Sequence, residues 1–369
     1  MTEIPLKLDF GSAPPAPGFA KADADCRYAA ERGYGFEEAG FVTARDRGEP
    51  GPLKRDLCIP AGAVFRVDLP DGNYTVSLLS GDAIAPSRTV VTASPRLPVL
   101  PRLDVPAGQF ARETFAVHVR GGCLRLAFSG EAPRLNALEI APAPESITLY
   151  LAGDSTVTDQ PEDGFPYAGW GQMLQRFFKH DVAVANYAVS GRSSKSFAGE
   201  GRLDEMAAKL RAGDWLFVQF GHNDQKSDEA RHTDPGTTYK LHLKMYIDAA
   251  RERGAHPVLV TSVHRRKFAP DGALLDTHGA YAEAVRELAA DESAPLVDLA
   301  AMSARLFGSL GPSGTESLFM HGAPGEFANY PVGVADDTHF QERGAEAVAA
   351  LVVQRVRELA LAPLFLYAR

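Results

Sequence analysis

At 369 residues with a net charge of −9, the chain is longer than one core usually serves, and two domains are expected. Hydrophobic residues at 45% and charged residues at 23% match a globular protein. No apolar run reaches the length of a bilayer span, and the acidic balance argues against nonspecific binding to nucleic acid or an anionic membrane surface. Three cysteines, Cys26, Cys58 and Cys123, show no metal-ligand spacing and are read as reduced thiols without a catalytic part.

The start, Met1 to Lys7, lacks the basic stretch and apolar core of a secretion signal, so the expected location is the cytoplasm. Residues 1–142 read as all-β. Val64–Leu69, Tyr74–Leu79, Phe115–Val119 and Leu124–Phe128 alternate or nearly alternate in polarity, and Pro70-Asp71-Gly72, Ser80-Gly81-Asp82, Gly121-Gly122 and Ser129-Gly130 separate such runs. Short strands with this punctuation predict a β-sandwich. The stretches Pro14–Pro17 and Arg45–Pro52 are rich in Gly, Pro or charge and are expected to be loops.

Ala141-Pro142-Ala143-Pro144-Glu145 reads as a linker, because alternating prolines stiffen an extended segment. Beyond it, from residue 146 to 369, buried-strand runs alternate with helical stretches. Strands are expected at Ile147–Ala152, Val182–Ala188, Trp215–Phe220, Pro257–Val263 and Leu296–Leu299. Helices are expected near 168–179, 203–210, 239–253, 280–290, 300–310 and 342–361, the last with Ala345, Val348, Leu351, Val352, Val356 and Leu359 along one face. Such βα repetition predicts a parallel sheet with helices on both sides, an α/β fold.

Four segments of this second half carry chemistry. The first strand runs into Gly153-Asp154-Ser155-Thr156, which sets a serine at the carboxyl end of a strand, where ligands bind in open α/β sheets. Asp154 is read as a turn former. Gly191, in the segment after the second strand, can let a backbone N–H approach a ligand. After the third strand, Asn223 in Gly221-His222-Asn223-Asp224 can aim an amide at a developing oxyanion; His222 is read as scaffold. Before the last helix, Asp336-Asp337-Thr338-His339 offers an imidazole in a polar loop with an acid three residues away to fix its tautomer. Asp337 is a rival for that role, and Asp336 is preferred for its spacing.

Together these segments resemble the four ordered blocks of the SGNH (GDSL-type) hydrolase superfamily. Gly169-Trp170-Gly171, the run from Gly191 to Phe197, Gly221 to Lys226 and Asp337-Thr338-His339-Phe340 are similar in particular to the rhamnogalacturonan acetylesterase family. The N-terminal part resembles accessory β-domains of the galactose-binding-like kind. The resemblance implies a three-layer α/β/α, flavodoxin-like domain over 146–369, preceded by the sandwich over 1–142. It implies Ser155 as nucleophile, His339 as base and Asp336 as its partner, with Ser155, Gly191 and Asn223 forming an oxyanion hole. The expected reaction is removal of acetyl groups from pectin-derived oligosaccharides, with no cofactor and no metal. Trp170, Arg192 and Arg265 are candidate substrate contacts, with packing the stronger reading for Trp170; Lys195, Lys226, Arg266 and Lys267 can also line the mouth and meet an acidic sugar. The other readings are an acetylesterase for another glycan such as xylan, a general short-chain esterase, and a glycan-binding protein without turnover. The sequence leaves the oligomeric state open.

Overall fold

The computed structural model describes residues 4–37, 40–93 and 96–369. Met1 to Glu3, on which the reading of the N-terminus partly rests, lie outside them. The chain divides into two compact units, one of residues up to 146 with 178–183 and Arg369, the other of 147–177 and 184–368.

The N-terminal unit is a β-sandwich. One sheet orders its strands Phe110–Val119, Gly72–Gly81, Ala137–Pro142, Leu6–Phe10, Ala20–Ala22; the other runs Leu103–Val105, Ser87–Ala93, Cys123–Ala132, Ala63–Asp68, Tyr34–Phe36, with Leu97–Pro98 beside Ser87–Ala93. Alternation along each strand sends one side-chain set inward. Leu8, Phe10, Val76 and Phe115 from the first sheet share a core with Phe36, Phe65, Leu126 and Phe128 from the second. Phe65 meets Phe10 and Phe36 edge-on at 5.1 and 5.0 Å. Each such side chain, fully buried, contributes about 1.5–3 kcal/mol. Pro14–Pro17 is irregular, as expected, whereas Arg45 and Asp46 close a strand, Phe41–Asp46, that forms a hairpin with Asp56–Ala61. Cys26 and Cys58 are buried, Cys123 is half-buried, and all three are free. Burial pushes the Cys58 thiol up to about 12.

From residue 147 onward we number strands β1 Ile147–Gly153, β2 Tyr167–Ala168, β3 Val182–Asn186, β4 Trp215–Gln219, β5 His256–Val260, β6 Leu296–Val297, β7 Phe319–Gly322 and β8 Val334–Gln341. The helices are α1 Ser194–Gly199, α2 Arg202–Ala207, α3 Thr238–Glu252, α4 Ala280–Asp291, α5 Leu299–Glu316 and α6 Glu342–Glu358. The main sheet is ordered β3-β1-β4-β5-β6 and is parallel, with Leu149 opposite Trp215 and Phe217 opposite Val258. Its strand order is the flavodoxin-like one, which reverses direction between its first and third strands and opens a crevice there. On one face Tyr150, Ala152, Leu216 and Val218 pack with Leu243, Tyr246 and Ile247 of α3, Val285 of α4 and Phe197 of α1. On the other, α6 packs against β6 and α5. The three-layer α/β/α architecture and the preceding sandwich agree with expectation.

Local differences have physical causes. No α-helix forms over 168–179; β2 and two short 3-10 turns, Gly171–Met173 and Gln175–Phe177, stand there. Gly169 and Gly171 press their backbones onto the turn after β1, where a Cβ on either would sit 2.5 Å from Val157 or Thr158 backbone atoms. The expected helix at 300–310 continues to Glu316, but its axis breaks at Gly311, φ 67° and ψ −177°. On α6, Ala345, Val348, Val352 and Val356 are buried, while Leu351 and Leu359 are only half-buried and Ala349 and Val353 fill the stripe instead. Asp336 to His339 do not lie in a loop: they belong to β8, which pairs with β7 and β2 in a small antiparallel sheet.

Candidate active site

The site starts where β1 ends. Gly153 is required there, since a Cβ would lie 2.6 Å from the Val157 side chain and 2.9 Å from the Gln219 carbonyl of β4. The Asp154 carbonyl accepts from the N–H groups of Val157 (3.0 Å) and Thr158 (3.1 Å), winding one turn around Ser155. The Asp154 carboxylate accepts from Thr156 N–H (2.9 Å) and hydroxyl (2.8 Å). Ser155, 8% exposed, therefore projects from a turn fixed on both sides.

Its Oγ lies 2.8 Å from His339 Nε2, and His339 Nδ1 lies 2.6 Å from Asp336 Oδ2. Asp336 is itself held: its Oδ1 accepts from the N–H groups of Thr338 (2.7 Å) and His339 (3.1 Å). Burial would raise the Asp336 carboxyl, but the bond to His339 and these backbone donors bring it down to about 2. It stays ionised, favours the Nδ1–H tautomer and leaves Nε2 able to accept the Ser155 proton. Asp337, the rival acid, is turned away to Arg266 (3.1 Å), Lys267 (2.8 Å) and His321 (2.9 Å).

The two further segments converge on the same turn. Val189 N–H donates to the Gly153 carbonyl at 3.0 Å, which lays the segment after β3 beside the end of β1. Gly191 there has φ +81°, a conformation that suits glycine, and a Cβ would meet nothing within 4 Å. Asn223, 7% exposed, donates one amide hydrogen to the Arg192 carbonyl at 3.0 Å, which leaves its second hydrogen for another acceptor. Beneath them Asp224 accepts from Ser194 N–H and hydroxyl and from the Thr233 hydroxyl. Burial pushes its carboxyl up to about 6.

Of the three candidate substrate contacts, Trp170 takes the packing role, the stronger of its two readings, and not that of a contact. It is 1% exposed, and its indole N–H donates to Gln219 Oε1 (3.0 Å), whose amide in turn donates to the Thr156 hydroxyl (2.7 Å). The ring props the serine turn from below and presents no face to a ligand. Arg192 lies between the two cases: its Nε reaches both carboxylate oxygens of Glu200 at 3.1 Å and Nη1 the Ser190 carbonyl. Arg265 is half-buried and pairs with no carboxylate among the described residues. It donates to Thr277 and, at 3.5 Å, to the His222 carbonyl, and burial lowers its guanidinium.

Two contributors carry no signal in the sequence. Gln160 Nε2 donates to the Ser155 carbonyl at 3.1 Å and to the Ser190 hydroxyl at 3.2 Å; the Tyr167 hydroxyl donates to the same Ser155 carbonyl at 3.2 Å. The Tyr167 ring also lies 4.9 Å from the His339 imidazole. Both act on a backbone atom, so no motif betrays them. Among the described residues no group of three or more His, Cys, Asp or Glu side chains is arranged to hold a metal ion, and no helix is long and apolar enough to cross a membrane.

A serine, an imidazole and a carboxylate in series at the switch point of a flavodoxin-like sheet define the SGNH class of hydrolase fold. The chain belongs to the GDSL-like Lipase/Acylhydrolase family, whose profile matches residues 151–347, and it is a carboxylic ester hydrolase. Residues 6–141 match the Beta-agarase/YXIM esterase-like, galactose-binding domain-like family. The rhamnogalacturonan acetylesterase RhgT of Bacillus subtilis is 46% identical over 215 residues, 58% of this chain and 91% of that protein. The uncharacterized esterase YxiM of the same organism is 30% identical over 372 residues, 96% of this chain and 91% of its own length. The crystal structure of YxiM superposes with a TM-score of 0.54 at 28% identity, covering 97% of this chain and 99% of that one.

Proposed function

We propose that this protein is a carbohydrate acetylesterase that removes acetyl groups from rhamnogalacturonan oligosaccharides, with Ser155, His339 and Asp336 as its catalytic triad. The observation that carries the mechanism is the continuous pair of bonds, 2.8 and 2.6 Å, from Ser155 Oγ through the imidazole to Asp336. The substrate class rests on the 46% identity to RhgT. The half-buried Arg265, without a carboxylate partner, adds support as a site for the carboxylate of an acidic sugar.

In the first half-reaction Ser155 Oγ attacks the acetyl carbonyl carbon while its proton passes to His339 Nε2. The tetrahedral oxyanion takes hydrogen bonds from the N–H groups of Ser155 and Gly191 and from the free amide hydrogen of Asn223. The intermediate collapses as imidazolium gives its proton to the departing sugar oxygen. His339 then takes a proton from water, hydroxide attacks the acetyl-serine, and acetate leaves as the proton returns to Ser155. Residues 1–142 serve as an accessory sandwich to the catalytic domain at 146–369.

The test is acetate release by the parent and Ser155→Ala from acetylated rhamnogalacturonan oligosaccharides, acetylated xylan oligosaccharides and p-nitrophenyl acetate. Release abolished in the variant and fastest on the pectin fragments is expected. Preference for xylan overturns the substrate and leaves the triad. Turnover that survives Ser155→Ala overturns the triad.

A further inference from the structure

The triad leaves a second carboxylate–imidazole pair unexplained, and both of its members are adjacent in sequence to reacting groups. Asp154 precedes Ser155, and His222 precedes Asn223. Asp154 Oδ2 lies 3.2 Å from His222 Nδ1, with the two side chains 0% and 5% exposed. The bond spans the crevice between the ends of β1 and β4, two neighbouring strands.

Its protonation state follows from its surroundings. Burial lowers the His222 imidazole below its ordinary value, so the ring is neutral at physiological pH. Asp154 resists the opposite pull of burial because His222 and Thr156 donate to it. The single imidazole proton therefore sits on Nδ1 and points at Asp154. Nε2 is buried and makes no hydrogen bond to the described residues. With Ser155 already bonded to His339, this imidazole is in no position to be the base of the reaction.

We propose that Asp154 and His222 are a positioning pair that sets the spacing between the Ser155 and Asn223 donors of the oxyanion hole. The inference rests on the oxyanion reading given above and assigns its geometric control to residues that touch no substrate. Asp154 accepts from Thr156 on one oxygen and from His222 on the other, which makes it the tie between the two turns. His222 is fixed in turn by the His278 ring, edge-on at 4.6 Å, and by Arg265 on its carbonyl. Loss of the Nδ1 donor frees the Asn223 turn from the serine turn. Such loosening lowers kcat, since the oxyanion donors act in the transition state, and leaves KM nearly unchanged.

The experiment is steady-state hydrolysis of p-nitrophenyl acetate by the parent and by Ser155→Ala, His222→Leu, His222→Asn and His222→Gln, with the thermal midpoint of each recorded. Asn can place an amide N–H where Nδ1–H stood; Leu has no donor, and Gln carries its donor too far. Expected are a fall in kcat of about 10- to 100-fold in Leu and Gln with KM within about threefold, and recovery to within about fivefold of the parent in Asn. The pH midpoint of kcat/KM stays at the parent value throughout, because His222 takes no proton in the reaction. If Leu does not fold, Gln and Asn carry the comparison. Parent-like kcat in Leu or Gln, or equal losses in Gln and Asn, overturns the positioning role. A shifted pH midpoint overturns it in favour of His222 as a base. Turnover by Ser155→Ala instead removes the oxyanion reading itself, and the proposal with it.

Discussion

Replacing Asp336 separates what a carboxylate does for His339 electrostatically from what it does by fixing a tautomer. The carboxyl is drawn from 3.8 to about 2, against the pull of burial, chiefly by its bond to His339. A charge-assisted hydrogen bond of this kind contributes about 1.5–3 kcal/mol to the imidazolium that forms beside it. Solvent reaches 36% of the Asp336 side chain, so screening reduces the usable part to about 1–2 kcal/mol. Asp336→Ala is therefore expected to lower kcat by at least about 5- to 30-fold. Asp336→Asn is expected to be worse, for a reason specific to this geometry. The N–H groups of Thr338 and His339 both bond Oδ1, so they pin the amide oxygen there and turn the amide nitrogen toward His339 Nδ1. Nδ1 must then accept, the ring proton moves to Nε2, and Nε2 donates to Ser155 when it should receive. A misassigned tautomer of this kind costs about 10⁴-fold. The assay is kcat and kcat/KM on p-nitrophenyl acetate across pH 5 to 9. An Asn variant as active as the Ala variant refutes the tautomer argument, and an Ala variant at parental rate refutes the triad assignment.

Other parts of the site give equally definite expectations. Arg265→Gln should raise KM for uronate-bearing acetylated oligosaccharides about tenfold, as expected for one charge-assisted bond, and change KM for neutral acetylated sugars little; equal effects on both dismiss the anion contact. Asp224 titrates near 6 in the folded protein against 3.8 ordinarily, so the native state holds its proton more tightly than the unfolded chain. Stability from this source is present below about pH 4, lost as pH rises through 6, and amounts to about 3 kcal/mol. Asp224→Asn removes that dependence, and urea unfolding of parent and variant at pH 4 and pH 8 should show their difference changing by up to about that amount; a constant difference contradicts it. Gly169→Ala places a Cβ 2.5 Å from Val157 and Thr158 backbone atoms and should destabilise by about 1–3 kcal/mol in thermal or urea unfolding. An unchanged midpoint would mean that the turn yields freely.

The chain's periodic parts were legible because burial writes them into the residue pattern. β1 and β4, buried at nearly every position, and α3, α4 and α6 fall close to their expected places. The four polar segments were legible for another reason: their residue types match the superfamily blocks. What stayed hidden depends on contacts distant in sequence. β8 reads Val-Ala-Asp-Asp-Thr-His-Phe-Gln, mostly half-buried, and carries no strand signal, because its pairing with β7 and β2 defines it. α1 is only six residues long and is fixed by a reciprocal cap between Ser193 and Ser196, a local signal that the apolar pattern does not carry.

In the proposed mechanism the site divides into atoms that react and atoms that aim them. Ser155 is nearly buried, and its turn is held through its carbonyl by Gln160 and Tyr167, through Asp154 by Thr156 and His222, and from below by the Trp170–Gln219–Thr156 chain. Each of these bonds satisfies a polar group that burial would otherwise strand, so the network stabilises the fold as well as orienting the turn. A preorganised serine needs little rearrangement when charge develops on the attacked oxygen, which is where fixed donors are most effective. The glycines at 153, 169 and 171 let three backbone segments meet at that turn, so the packing that fixes the fold also aims Ser155 Oγ at His339.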